Sequence, residues 1–438
     1  MNFLKVFSQT ILTISLLLLI YTFYKSEIIW DGNNRNYYKT YYLISSILIC
    51  FSIITFFLNE KIKQYLIISV ISLVLSLYLF EGYLTLKEKN SKDQLSRERL
   101  YEEQTGYKWD RRQKIEIYND LKKNNNKITI SYHPSYFFYK NYSTVPFPLS
   151  GQSNSETIYC NENGYFSIYQ SDRYGFNNPD NEWDEKEIEY LLVGDSFTHG
   201  ACVNRPNDIS SVLRNLSNKS VLNLGMSGNG PLIEYATLRE YLNTNVKKVL
   251  WIYYESNDLY DLENEQKNNI LINYLKDLNF TQNLKFKQND IDSFLYNPIE
   301  EREERLTKKI IKFNSKLIQF IKIRNTRVSI LTRPVPAPAP EFKQILQLKK
   351  ELANKNNSKL YFVYLPEYNR YKKNYDNKSY NLVKNIITEL KIPFIDIHKE
   401  VFEKEQNPLK LFPFELFAHY NVEGYKKVAE TIYKFTKD

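Results

Sequence analysis

The sequence predicts an α/β protein in which helices cover a parallel sheet, preceded by three membrane-spanning helices and a small β-rich segment. Three observations carry this. From residue 188 onward, short apolar runs alternate with amphipathic helical patterns, as in sheets built from βαβ units. Upstream, Ile11 to Phe23, Tyr41 to Leu58 and Tyr65 to Phe80 contain no charged residue. With their flanks, these runs approach or reach the ~20 residues a spanning helix needs. Glycine is scarce, 12 in 438 residues, yet Gly194, Gly200, Gly225, Gly228 and Gly230 all fall in the first two joints that follow strands.

In chain order, the spans are expected at about 4–24, 40–59 and 64–86. A signal peptide would account for the first run but not for the next two. Three spans put the termini on opposite sides of the bilayer. With the N-terminus inside, Lys5, Lys61 and Lys63 lie inside, while Lys25, Arg35, Lys39, Lys87, Lys89 and Lys92 lie outside. That bias favours a cytoplasmic soluble domain, but large domains translocate largely regardless of charge. Sidedness stays open. Residues 87–126 are highly charged and read as a juxtamembrane helix or tether. Ile128 to Tyr132, Thr157 to Tyr159 and Tyr165 to Tyr169 read as short strands between Pro, Ser and Asn turns. Ser171 to Asn178, polar and turn-rich, reads as a packed corner or a loop beside a site. The expected layout is an anchor over 1–86, a juxtamembrane helix and β-rich segment over 87–186, and an α/β domain over 187–438.

Five strands are expected in that domain: Ile188–Val193, Val221–Leu224, Val249–Tyr253, Leu360–Leu365 and Phe394–Ile397. Helical patterns run near Leu213 and over Glu234–Leu242, Lys308–Ile321, Phe342–Leu352 and Leu382–Leu390. The interval 260–355 exceeds an ordinary crossover and reads as a helical insertion, with Arg333 to Pro340 as a stiff polyproline segment. The net charge of +9 is spread along the chain without a dense basic cluster, which argues against a nucleic-acid partner. Cys50, Cys160 and Cys202 lack metal-ligand spacing; no metal or cofactor is expected. Cys160 and Cys202 can pair if the domain is exported, or stay as two thiols.

The chemistry concentrates at strand ends. Leu191-Leu-Val-Gly-Asp-Ser196 is an apolar run closed by a glycine and a serine, and ligands of open α/β sheets bind beyond the carboxyl ends of strands. The next helix is expected to open only at Ile209, capped by Asn207 or Asp208. The second strand ends in Asn223-Leu-Gly-Met-Ser-Gly228, with no Lys-Ser/Thr to make a phosphate loop. The third ends in Ser256-Asn257-Asp258, whose Asn257 amide is aimed at developing negative charge or simply closes an Asx-turn. Of the four histidines, His199 is a weak candidate base. His419, on a loop before a C-terminal helix, is better placed.

Together these blocks resemble the SGNH subgroup of the GDSL hydrolases over about residues 187–438. Gly194-Asp-Ser-Phe-Thr matches the nucleophile block, Asn223 to Gly228 the second, Ser256-Asn257-Asp258 the third, and His419 with the helix start at Gly424 the last. The resemblance implies a flavodoxin-like α/β/α sandwich with a five-stranded parallel sheet. It also implies acyl transfer, with Ser196 as nucleophile and His419 as base. The oxyanion hole would comprise the Ser196 N–H, the Gly228 N–H and the Asn257 side chain. Two positions depart from the pattern. Glu255 stands where the family has glycine, and Leu416 stands where it has the acid. Glu415, one residue further from His419, is the expected acid, with a Ser–His dyad as the alternative. The implied function is a membrane-anchored serine esterase or O-acyltransferase. Its partners would be the lipid bilayer and an acylated small molecule or cell-envelope glycan, and related domains suggest an extracytoplasmic site. A non-catalytic glycan- or partner-binding protein is the competing reading.

Overall fold

A computed structural model describes residues 3–29, 32, 35–90, 93–138, 146–243, 245–295, 315–331, 336–372 and 375–437. The chain forms two compact units, Met1–Ser91 with Lys312–Thr332, and Lys92–Ile311 with Arg333–Asp438.

In the first unit, helices α1 (Phe3–Phe23), α2 (Arg35–Phe57) and α3 (Glu60–Asn90) correspond to the expected spans. Val6–Ile29, Tyr38–Phe57 and Glu60–Lys87 are long and apolar enough to cross a membrane. Many of their large apolar side chains face outward, among them Leu17, Ile47 and Leu75. A water-soluble helix hides such a stripe, whereas a spanning helix presents it to lipid.

The second unit begins with α4 (Asp93–Thr105) and α5 (Lys114–Lys122), so the charged stretch is two helices. A small sheet follows, from β1 (Ile128–Ile130), β2 (Glu156–Ile158) and β3 (Ile168–Gln170), with β2 central. The large sheet holds β4 (Ile188–Gly194), β5 (Val221–Asn223), β6 (Val246–Tyr254), β7 (Lys359–Leu365) and β8 (Phe394–Asp396). All its pairings are parallel, in the order β5-β4-β6-β7-β8. Numbered within the sheet this is 2-1-3-4-5, the flavodoxin-like order, whose ligand crevice lies beside the first strand at the carboxyl edge. The sequence expectation of a five-stranded parallel sheet holds.

Alternation along the strands feeds two cores. Leu191, Val193, Trp251, Tyr253 and Phe362 pack on one face, against α8 (Pro231–Tyr241) and the helices Pro340–Lys355 and Lys378–Glu389. Tyr190, Leu192, Leu250, Ile252 and Val363 pack on the other, against α7 (Ile209–Ser217) and the C-terminal helix Val422–Thr436. Both faces being covered explains why β4 reads as a continuous apolar run. Each large side chain so buried contributes about 1.5–3 kcal/mol.

Three expectations are corrected or bounded. The chain does not wait until Ile209 to turn helical, because α6 (Ser196–His199) opens directly after β4, capped by the Asp195 carboxylate on the Phe197 N–H. Asp208, rather than Asn207, caps α7. The insertion between β6 and β7 holds α9 (Asp258–Glu265), α10 (Asn269–Lys276), α11 (Ser315–Ile321) and α12 (Arg324–Leu331). The expected helix over Lys308–Ile321 and the polyproline run lie partly outside the described residues, and Pro340 already opens a helix.

Candidate active site

Ser196 stands at the first position of α6, at the carboxyl edge of β4 and 8% exposed. The approach depends on Gly194: a Cβ there would lie 2.1 Å from Thr198 Oγ1 and 2.5 Å from the Ile252 carbonyl. Glycine therefore lets α6 fold tightly onto the strand end. The Ser196 N–H belongs to the first turn of a helix and has no intrahelical acceptor.

His419 arrives from the loop before the C-terminal helix, and its Nε2 lies 2.9 Å from Ser196 Oγ. Phe197 packs beside the imidazole. The carboxylate on the far side of the ring belongs to Glu162. One Glu162 oxygen accepts from His419 Nδ1 at 3.0 Å and from the His419 backbone N–H at 2.8 Å. These two bonds fix ring orientation and tautomer, leaving Nε2 free to accept a proton.

The electrostatics agree with that assignment. Burial alone would lower the His419 pKa, but the charge and hydrogen bond of Glu162, helped by Asp195, raise it above the ordinary value. Burial pushes Glu162 up, and the His419 charge, its two hydrogen bonds and Arg97 more than offset this, leaving Glu162 below the usual carboxylate range. Asp195 is pushed up to about 6 by burial.

Glu415 does not meet His419. Phe414 and Glu415 both have positive φ, +56° and +59°. The resulting turn sends the Glu415 carboxylate outward to Asn407 Nδ2 at 3.1 Å and its carbonyl to the Tyr368 hydroxyl at 2.8 Å. Glu415 is exposed, whereas Glu162 has an imidazole to neutralise.

Glu162 was missed because it lies outside the α/β domain in sequence. One signal pointed to it. Cys160, two residues earlier, is bonded to Cys202, six residues after Ser196. Pairing those cysteines brings the Glu162 loop to the nucleophile. Asn163 Nδ2 adds a bond to the Cys202 carbonyl at 2.8 Å, and Arg97 of α4 donates to the Phe417 carbonyl beside His419. Glu162, Cys202 and His419 each bring a potential ligand atom within 4.8 Å of the others. The Cys202 sulfur is committed to the disulfide, so this trio is a poor metal donor set.

His199 is a core residue and not a base. It donates from Nδ1 to the Gly225 carbonyl at 3.1 Å, packs between Tyr159 and Tyr169, and burial lowers its pKa to about 4. Asn257 precedes α9, and its amide donates to Asp261 at 2.7 Å while helping to keep Asp195 ionised. Gly228 has φ +71°, and an added Cβ would crowd Ser135 and His133 at 3.2–3.4 Å. Among the described residues no acceptor meets its N–H. Glu255 forms a buried ion pair with Arg370, and its carboxylate also accepts from the Glu367 N–H at 3.1 Å. The Ser171–Asn178 run is a corner beneath these joints: Asn177 donates to the His199 carbonyl and Asn178 to the Asn223 carbonyl.

No family model matches the sequence, and none of the curated proteins does. Some solved structures are similar. A G-D-S-L family protein from Desulfitobacterium hafniense DCB-2 is 15% identical, with a TM-score of 0.32 over 57% of this chain and 99% of its own. A member of the lipolytic protein G-D-S-L family from Veillonella parvula DSM 2008 is 12% identical, with a TM-score of 0.32 over 56% and 97%. An acetyl xylan esterase, AlAXEase, is 12% identical, with a TM-score of 0.33 over 56% and 98%.

Proposed function

We propose that the chain is a membrane-anchored serine esterase or O-acyltransferase of the SGNH type, with Ser196, His419 and Glu162 as its triad. The observation that carries this reading is the relay from Ser196 Oγ to His419 Nε2, and from His419 Nδ1 to Glu162, with both links at hydrogen-bond distance. A serine hydroxyl is a poor nucleophile until a base takes its proton.

In this scheme Nε2 removes the Oγ proton as the oxygen attacks an ester carbonyl. The oxyanion meets the N–H groups of Ser196 and Gly228 and, once it releases Asp261, the Asn257 amide, each such donor being worth roughly 10²–10³ in rate. Glu162 stabilises the imidazolium, which then protonates the departing alcohol. Water, or a hydroxyl of an acceptor such as a glycan, attacks the acyl-serine with His419 again as base. Hydrolysis and transfer share every residue up to that step. An acylated envelope glycan suits an enzyme held at a membrane. The Cys160–Cys202 disulfide supports a domain facing an oxidising compartment. A binding-only role has no use for a carboxylate that raises the basicity of His419.

The test is covalent labelling of the full chain with a fluorophosphonate, followed by acyl release from an acetylated glycan with and without a free sugar acceptor. Labelling should be lost in Ser196→Ala and in His419→Ala. A fold-intact protein that never labels, or that labels equally without Ser196, ends the enzyme reading.

A further inference from the structure

The third span carries one fully buried carboxylate, Glu81, which is 0% exposed. A carboxylate in an apolar span is costly to insert, so such groups find donors. Among the described residues, its donors come from the insertion, more than 240 residues away. The N–H groups of Asn325 and Thr326 reach Glu81 at 3.0 and 2.7 Å, and the Thr326 hydroxyl at 2.8 Å. Those two amides belong to the first turn of α12, which has no intrahelical acceptors and the positive end of the helix dipole.

The contact is extended. Asn325 donates to Thr85 at 3.2 Å and Arg327 to the Tyr41 hydroxyl at 2.9 Å. The Tyr78 hydroxyl donates to the Ile321 carbonyl at 2.9 Å, and its ring meets Phe320. Thus α11 and α12 belong to the compact unit of the three spans. Neither helix is long enough to cross a bilayer, and both keep apolar side chains outward: Leu317, Ile318, Ile321 and Val328. Residues 315–331 contain Lys316, Lys322, Arg324 and Arg327 and no acidic residue. Glu81 lies six residues before Lys87, where the span ends, which at ~1.5 Å per residue is about 9 Å from that end. Interfacial helices bury their apolar face to about this depth.

We infer that residues 315–331 are a membrane-interface helix pair, seated on the third span by Glu81, with exposed apolar side chains that enter the lipid of one leaflet and basic residues that suit anionic headgroups. The chain leaves the large sheet after β6, enters the bilayer surface, and returns for β7. This rests on the membrane-anchored reading, and the experiment separates the two.

Full-length protein carrying Cys50→Ser is given a single new cysteine at Ile321, at Leu75 in the third span, or at Lys219 in the second unit. It is labelled with an environment-sensitive dye and reconstituted in phosphatidylcholine/phosphatidylglycerol vesicles. The expected result is a blue-shifted Ile321 probe quenched most by lipid nitroxides near the headgroup, a Leu75 probe quenched most by deep ones, and a Lys219 probe unquenched. Water-like, unquenched emission at Ile321 with Leu75 still quenched overturns the inference alone; loss of quenching at both overturns the membrane anchor too. Glu81→Leu should reduce Ile321 quenching at least threefold, while Glu81→Gln, which keeps an acceptor, should retain most of it. Unchanged quenching in Glu81→Leu removes Glu81 from its assigned role.

Discussion

At His419 two glutamates compete for one role. Glu415 is four residues away in sequence, Glu162 is 257, and Glu162 makes the hydrogen bond. Proximity along the chain lost because Phe414 and Glu415 turn through the left-handed region, carrying the nearer carboxylate out to Asn407. Glu162→Gln should therefore lower kcat by about 10²–10⁴-fold, since it disturbs both tautomer and imidazolium. Glu415→Gln should change it by less than about threefold. The pH profile gives an independent sign. The base works only when neutral, so activity falls as pH drops through the His419 pKa, which Glu162 holds above the ordinary 6.5. Without Glu162, burial dominates, and the acid limb of kcat/KM should move to lower pH. Equal losses in the two variants, or a limb that stays put, would return Glu162 to a structural role.

Among elements, the joint between the small and large sheets matters most for the site. Just beyond β2, Cys160 is tied to the loop after α6 by the disulfide, closing a sequence separation of 42. A loop of that length implies roughly 4 kcal/mol in the chain-entropy account. Two residues further on, Glu162 meets His419, the contact that the proposed triad needs. Reduction, or the double change Cys160→Ser with Cys202→Ser, should lower kcat about tenfold or more and move the acid limb of kcat/KM the same way as Glu162→Gln. A general loss of stability would lower Tm without that pH signature. Full activity in the reduced protein, with an unshifted limb, would mean that Asn163 and Arg97 hold the loop unaided.

For the whole molecule, the disulfide and the charge bias point to opposite sides of the membrane. A disulfide that positions a site residue persists only in an oxidising compartment, whereas the lysines after the third span favour the cytoplasm. Large domains cross in spite of such lysines, so the second unit is expected outside, with Met1 inside. Impermeant maleimide on intact cells should label Lys219→Cys but not a cysteine placed at the N-terminus. The reverse pattern would place the second unit in the cytoplasm.

What the sequence by itself determined follows from local periodicity and short motifs. The three apolar runs, the five strands, the sheet class, the positions of Ser196, Gly228 and Asn257 in the joints after strands, and that of His419 before the last helix were all legible within windows of a few residues. Such features report a face, a cap or a turn, each encoded by neighbours. The tertiary structure decided which carboxylate serves His419, that Cys160 and Cys202 pair, that His199 is packed among tyrosines, and that Glu81 caps a helix from the insertion. Each is a contact between residues remote in sequence. Burial and unpaired donors choose such partners, because a charge taken out of water is stabilised by whatever the fold brings within hydrogen-bond reach.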